Sequence, residues 1–354
     1  MQEASLLKQL VTTTKEFGCT TFALQHEDKI VFGRNFDFMI DYGHIVVNKR
    51  NVLKTALVPP SEKQFQWTST FGSVTFNQVG REFPYGGINE AGLVIEQLWL
   101  DSTQYPSPDH RYGISVLQWI QYQLDVAEHI DDVIESDLLL RIIDNSGANL
   151  HFFVTDKNGN SACIEFIKGK MNVSKGKDLK VPALTNSSYE ESLGSLSRTK
   201  QEEINQSIFT SNSLDRFKRT AKLLREFDQE RSPNLIDYSF LILDTIKQAN
   251  FTQWSIVYDI SNLEVHFKTK SNLQKAVIRL EDFDFSSASP CLVSDLQNRT
   301  KTVLFETYSS ANNLALINRV FDSLAMLKDI PKEIREISAN YPEQTVFNDQ
   351  ESCC

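Results

Sequence analysis

"FGCTTFALQHEDKIVFGRNFDF", residues 17–38, decides how the rest of this chain is read. The runs "TTFALQ" and "KIVFGRNF" alternate as strands do, and His26–Glu27–Asp28–Lys29 supplies a turn between them. A hairpin of this kind brings the end of its second strand back beside the start of its first. Cys19 then lies close to Arg34 and Asp37. A neighbouring cation favours thiolate over thiol, and thiolate is the nucleophile. A carboxylate three residues beyond the arginine can hold an amine.

The bulk properties leave room for such a site and exclude others. The 354 residues are 41% hydrophobic and 10% aromatic, enough for a large core in one large domain or two ordinary ones. A formal charge of −10 excludes nucleic acid and an anionic membrane surface as partners, since both need clustered Lys and Arg. No apolar run reaches the 18 or so residues that span a bilayer. Residues 1–18 carry Lys8, Lys15 and Glu16 around Leu6, Leu7, Leu10 and Val11, the pattern of a short amphipathic helix and not of a signal peptide. The expected location is cytoplasmic if Met1 is the native start, and periplasmic or secreted if a leader is missing. The cysteines Cys19, Cys163, Cys291, Cys353 and Cys354 form neither a zinc pattern nor a disulfide framework. Cys163 reads as a small core residue on a strand. The terminal "SCC" lacks the polybasic support of a prenylation signal and reads as an exposed tail.

Hairpins dominate the chain. "HIVVNKR", "KTALV" and "FGSVTF" continue the β-structure, and "GGINEAGLVIEQLWL" turns at Asn89–Glu90–Ala91–Gly92. Residues 112–147 carry two helical patterns, "GISVLQWIQYQLDVA" and "HIDDVIESDLLLRII". "LHFFVTD" and "SACIEFI" form a hairpin through "KNGN". Asn186–Asp215 is a polar loop with at most a weak helix. Helices "DRFKRTAKLLREF" and "LIDYSFLILDTIKQA" follow, then a hairpin of "TQWSIVYDI" and "LEVHFKT", and a helical stretch from about Asn312. This order predicts antiparallel sheets covered by helices, an α+β class.

The sequence has no G-x-S-x-G elbow, P-loop, G-x-G-x-x-G after a strand, or H-E-x-x-H. Its six histidines have no ligand spacing, so neither a metal nor another cofactor is expected. A thiol still needs a base. If the peptide bond before Cys19 is cut, the freed α-amine, with a pKa of about 7.7–8.0, is within reach of the thiol. Gly18 suits that cut because it hinders attack on its carbonyl little.

Taken in order, "CTTF", "GRNFDF", "GGINEAGLVIE", "ALTNSS", "SLDRFKR" and "TQWSIVYDI…FKT" resemble the choloylglycine hydrolase family. These are linear-amide C–N hydrolases of the N-terminal nucleophile superfamily, including bile salt hydrolases and penicillin V acylases. The resemblance runs from Cys19 to about Lys270. It implies a four-layer αββα sandwich of two antiparallel sheets covered by helices, and a homo-oligomer, tetramer or dimer. It also implies Cys19 as nucleophile, Arg34 and Asp37 beside it, Asn186 at the tetrahedral intermediate, and Arg216 as a second active-site arginine. Where bile salt hydrolases carry an oxyanion-hole asparagine, this chain has Trp99, whose indole either donates one hydrogen bond, packs in the core or walls the acyl pocket.

The sequence is therefore read as residues 1–18, an extension or propeptide, followed by one catalytic domain over 19–354 with a helical C-terminal extension. The expected activity is cofactor-free hydrolysis of a small N-acyl amide with an apolar acyl group, penicillin V-type or fatty-acyl. Phe22, Phe36, Trp67 and Trp99 are expected near the site, with Phe22, Phe36 and Trp99 touching substrate. The alternatives are a bile salt hydrolase, a thiol hydrolase using a histidine, and a non-catalytic member that binds amphiphiles.

Overall fold

The computed structural model describes residues 18–144, 146–199, 212–227, 234–298, 302–325 and 327–347. The expected N-terminal helix and the Cys353–Cys354 pair lie outside the described residues. Strand β1 (Thr20–His26) and strand β2 (Lys29–Asp37) form the hairpin read from the sequence, with Thr20 opposite Asn35 and Thr21 opposite Arg34. Glu27 takes a positive φ of 54° to close the two-residue turn. Every residue of β2 except Lys29 is buried, because strands flank both its edges and layers cover both its faces.

Among the described residues, β1 and β2 belong to a six-stranded sheet. Its order is Ala183–Leu184, β1, β2, Thr252–Asp259, Glu264–Thr269, Ala276–Arg279. A nine-stranded sheet packs against it, with Leu150–Thr155, Val94–Trp99, Pro84–Asn89 and Ser73–Asn77 adjacent near its middle. Among the described residues, the strands of both sheets pair antiparallel. Aromatic contacts seal the space between the sheets: Phe32 meets Phe153 at 5.5 Å, and Phe76 meets Tyr258 at 6.4 Å between ring centroids. Helices Ser213–Arg225 and Leu235–Ile246 pack on the six-stranded sheet, and helix Val116–Val126 packs on the nine-stranded one. The layers are α, β, β, α. No helix of the described residues is long and apolar enough to cross a membrane.

Two turns came out as the sequence indicated. Gly92 sits at φ +86° with its N–H donated to Asn89 O, and Gly159 at φ +80° closes on Asp156 O. One helix reading is corrected. In "HIDDVIESDLLLRII" only Ile130–Glu135 is α-helical, and Leu140–Ile143 is a strand paired in parallel with Tyr112–Ser115. A short apolar run with two adjacent β-branched residues fits a buried strand as well as a helix, and its partner strand decided the matter.

Two C-terminal helices, Ser310–Ser323 and Lys332–Asn340, form their own apolar cluster from Leu316, Ile317, Val320, Phe321, Leu324 and Ala339. They are tied to the rest of the molecule through a loop, helix Val116–Val126 and a small three-stranded sheet. Asn313 Oδ1 accepts from Arg81 N at 2.9 Å, Tyr341 Oη accepts from Gln118 Nε2 at 2.8 Å, and Val346 pairs with Leu53.

Candidate active site

The start of β1 and the end of β2 meet where the register places them. Arg34 is fully buried and reaches Cys19 Sγ with Nη2 at 3.8 Å. Its other Nη hydrogens go to Tyr85 O (3.1 Å), Gln97 O (3.4 Å) and the Glu96 carboxylate. Glu96 is fully buried as well, and its Oε1 accepts from Tyr258 Oη at 2.6 Å. The ladder sets Glu96 opposite Gly86, and a Cβ on Gly86 would overlap the carboxylate. Glycine there leaves the slot in which Glu96 meets Arg34.

Asp37 closes β2 and is also buried. Thr252 Oγ1 donates to its Oδ1, and Gln248 Nε2 donates to its Oδ2 at 3.0 Å. Burial pushes its carboxyl up to about 6, against the opposing pull of Arg216, these hydrogen bonds and Arg34. Gln248 Nε2 also donates to Gly18 O at 2.7 Å, so one amide links Asp37 to the Gly18–Cys19 peptide bond.

Arg216, from the first turn of helix Ser213–Arg225, enters on the other side. It donates to Cys19 O, to Thr20 Oγ1 (2.7 Å) and to Asn186 Oδ1 (2.9 Å). Its burial lowers the guanidinium pKa, while Asp37 and Cys19 oppose that shift. Asn186 Nδ2 donates to Trp99 O at 2.9 Å. A Cβ on Gly18 would overlap Arg216 Nη2 and Asn186 Oδ1, so only glycine fits before Cys19 in this arrangement.

Cys19, Arg34, Asp37 and Asn186 open onto a predominantly apolar cavity of about 500 Å³. This size suits a drug-sized or acyl-chain ligand. Phe36, Tyr85 and Trp99 form part of its wall near the cysteine, and Phe321, Leu324, Leu327, Ile330 and Ile334 of the C-terminal segment form part of its far side.

The structure thus brings together all five polar residues singled out in the sequence, and Phe36 and Trp99 with them. Trp99 does not offer its indole N–H to the site, because Nε1 donates to Asp101 Oδ1 at 2.6 Å. Its ring lines the cavity and its carbonyl holds Asn186. Phe22 is a correction. It lies an odd number of residues from Cys19, so it faces the other side of β1. Its ring is fully buried over Gly33 and is not part of the cavity wall. Trp67 is also removed from the site. It stacks with Phe65 in a second core cluster and donates to Asp125 Oδ2 at 2.8 Å. Sequence reading missed Glu96 and Gln248. A lone glutamate inside the apolar run "LVIEQLWL" was the available signal for the first, and nothing local marked the second.

A family model described as linear amide C-N hydrolases, choloylglycine hydrolase family, matches residues 19–225, beginning at Cys19 itself. The chain belongs to this family. Among its relatives, a penicillin V acylase of Pectobacterium atrosepticum is 33% identical over 137 residues. That match covers 34% of this chain and 36% of the relative, so the chain spans about a third of that protein's length. In fold, this choloylglycine hydrolase family member is similar to the penicillin V acylase of Agrobacterium tumefaciens, with a TM-score of 0.71 and 23% identity over 82% of this chain and 98% of the other. A variant of the conjugated bile acid hydrolase of Clostridium perfringens gives a TM-score of 0.62 and 17% identity over 82% and 97%. Both likenesses support the four-layer αββα arrangement.

Proposed function

We propose that this protein hydrolyses the amide bond of an N-acyl amide with an apolar acyl group, using Cys19 as an N-terminal nucleophile once residues 1–18 are removed. The observation that carries this reading is the convergence of Arg34, Asp37, Asn186 and Arg216 on the Gly18–Cys19 junction at one end of an apolar cavity. In this reading the Cys19 thiolate attacks the substrate carbonyl, and the freed α-amine takes up the thiol proton and hands it to the leaving amine. Asp37 orients that amine. Trp99 O takes one hydrogen of Asn186 Nδ2, and the other is available to the oxyanion. The acyl-thioester is then hydrolysed by water, with the α-amine as base.

The cavity favours a flexible or aryl acyl chain over a rigid sterol. Phe36, Trp99 and Leu327 wall it with planar and branched side chains, and the anchored C-terminal helices bound its far side. The test is a panel of penicillin V, dodecanoyl amides, glycocholate and taurocholate at equal enzyme concentration and neutral pH. The reading requires the first two to be cleaved with the higher kcat/KM and Cys19→Ala to abolish cleavage. Glycocholate as the best substrate would replace it with the bile salt reading, and cleavage of nothing would leave a non-catalytic binder.

A further inference from the structure

We propose that Gln248 is the group that polarises the Gly18 carbonyl when Cys19 cuts the peptide bond before it. This rests on the N-terminal nucleophile reading above and adds the residue that drives maturation. Gln248 lies between helix Leu235–Ile246 and strand Thr252–Asp259, with its side chain buried. Its Nε2 hydrogens go to Gly18 O at 2.7 Å and Asp37 Oδ2 at 3.0 Å. Its Oε1 is buried with no partner. A flipped amide would set that oxygen against a carbonyl and a carboxylate, with no hydrogen between them, so the donor orientation is fixed by its surroundings.

The donor is held rigidly. Gln248 N donates to Thr252 Oγ1 at 2.9 Å, and Gln248 O accepts from Phe251 N at 2.8 Å and Thr252 N at 2.9 Å. Gly18 is fenced by Arg216 and Asn186 so closely that no larger residue fits, which shapes the site around the uncut bond. Such a preset donor, itself buried and aimed at a carbonyl oxygen, is the arrangement that stabilises a developing oxyanion.

The chemistry balances within the chain and one water. Cys19 Sγ attacks the Gly18 carbonyl carbon, and negative charge grows on Gly18 O, where Gln248 Nε2 donates. The C–N bond then breaks, and the Cys19 nitrogen gains the proton that the thiol gave up. The product is a thioester with a free α-amine. Water hydrolyses the thioester, releasing residues 1–18 as a carboxylic acid and restoring the thiol. Once Gly18 has left, Gln248 loses that acceptor, so cutting depends on this amide more than substrate turnover does.

The experiment follows the intact mass of the full chain after a pulse of cell-free synthesis, for wild type, Gln248→Ala and the similarly shaped Gln248→Met. Loss of one oxyanion donor predicts cutting about 10²–10³ times slower in both variants. After cutting is complete, kcat/KM per cut chain should fall less than tenfold. Cutting at the wild-type rate in both variants overturns the proposal. An equal loss in cutting and turnover also overturns it, because Gln248 would then act only by holding Asp37. A wild-type chain that hydrolyses amides while uncut defeats the N-terminal nucleophile reading itself, and the proposal with it.

Discussion

Replacing Glu96 with alanine should cost this protein several kcal/mol of stability, because it strands a buried guanidinium. Arg34 and Glu96 are both fully buried and face each other across the sheets. Without the carboxylate, the guanidinium keeps as acceptors Tyr85 O at 3.1 Å, Gln97 O at 3.4 Å and the Cys19 sulfur at 3.8 Å, beside the Phe36 ring at 5.1 Å. Removing one member of a buried ion pair costs about 3–5 kcal/mol, because the remaining charge is neither solvated nor paired. Unfolding entropy of about 2.1 cal/mol/K per residue gives about 0.7 kcal/mol/K for a chain of this length. The melting temperature should therefore fall by about 4–7 °C. Glu96→Gln keeps an acceptor for Arg34 and Tyr258 and should lose roughly half as much. Arg34 would also drift from the cysteine, and a shift of about 1 Å at a catalytic group can cost 10²-fold in rate. Differential scanning calorimetry and kcat/KM on one purified preparation measure both effects. A Glu96→Ala protein that melts within a degree of wild type and keeps its kcat/KM would refute the assignment of Glu96 as the residue that holds Arg34 at the thiol.

Two further outcomes are expected. In the uncut chain, Cys19→Ala, the Asp37 carboxyl sits at about 6 against an ordinary 3.8. The folded state thus holds a proton that the unfolded chain has already lost. That stabilisation is complete below about pH 4 and disappears as pH rises through 6, a change of about 2 pKa units or about 3 kcal/mol. Asp125, whose buried carboxyl is also pushed up to about 6, loses stability over the same window in both proteins, so urea titrations at pH 4 and 7.5 should show a loss about 3 kcal/mol larger in Cys19→Ala than in Cys19→Ala with Asp37→Asn. In the cavity, Leu327→Trp should lower the ratio of kcat/KM for dodecanoyl over butanoyl amides at least tenfold, since each buried methylene is worth about 0.8 kcal/mol. Ile337→Asp, exposed on the following helix Lys332–Asn340 and outside the cavity wall, should leave the ratio as it is.

The hairpin and its reactive end were legible because both are local. Two alternating runs around a four-residue turn fix a register, and the register fixes which residues meet Cys19. The family pattern supplied Asn186 and Arg216, which lie far along the chain and carry no local mark. Glu96 and Gln248 could not be read in the same way. Glu96 works only because Gly86 on the neighbouring strand leaves it space, and Gln248 only because a turn between a helix and a strand folds over the end of β2. Phe22 was misplaced because proximity in sequence was given more weight than the two-residue period of a strand, which sets Cys19 and Phe22 on opposite faces. Leu140–Ile143 was misread because so short a run with three apolar residues satisfies a helix and a buried strand alike until the partner strand is known.

The most direct measurement is rapid-quench mass spectrometry of the protein mixed with a saturating N-acyl amide. The account predicts a chain that begins at Cys19 and, within the first turnover, carries one acyl group on that residue as a thioester. A chain that still begins at Met1 and turns over at the full rate, or an acyl group found on any other residue, would contradict it.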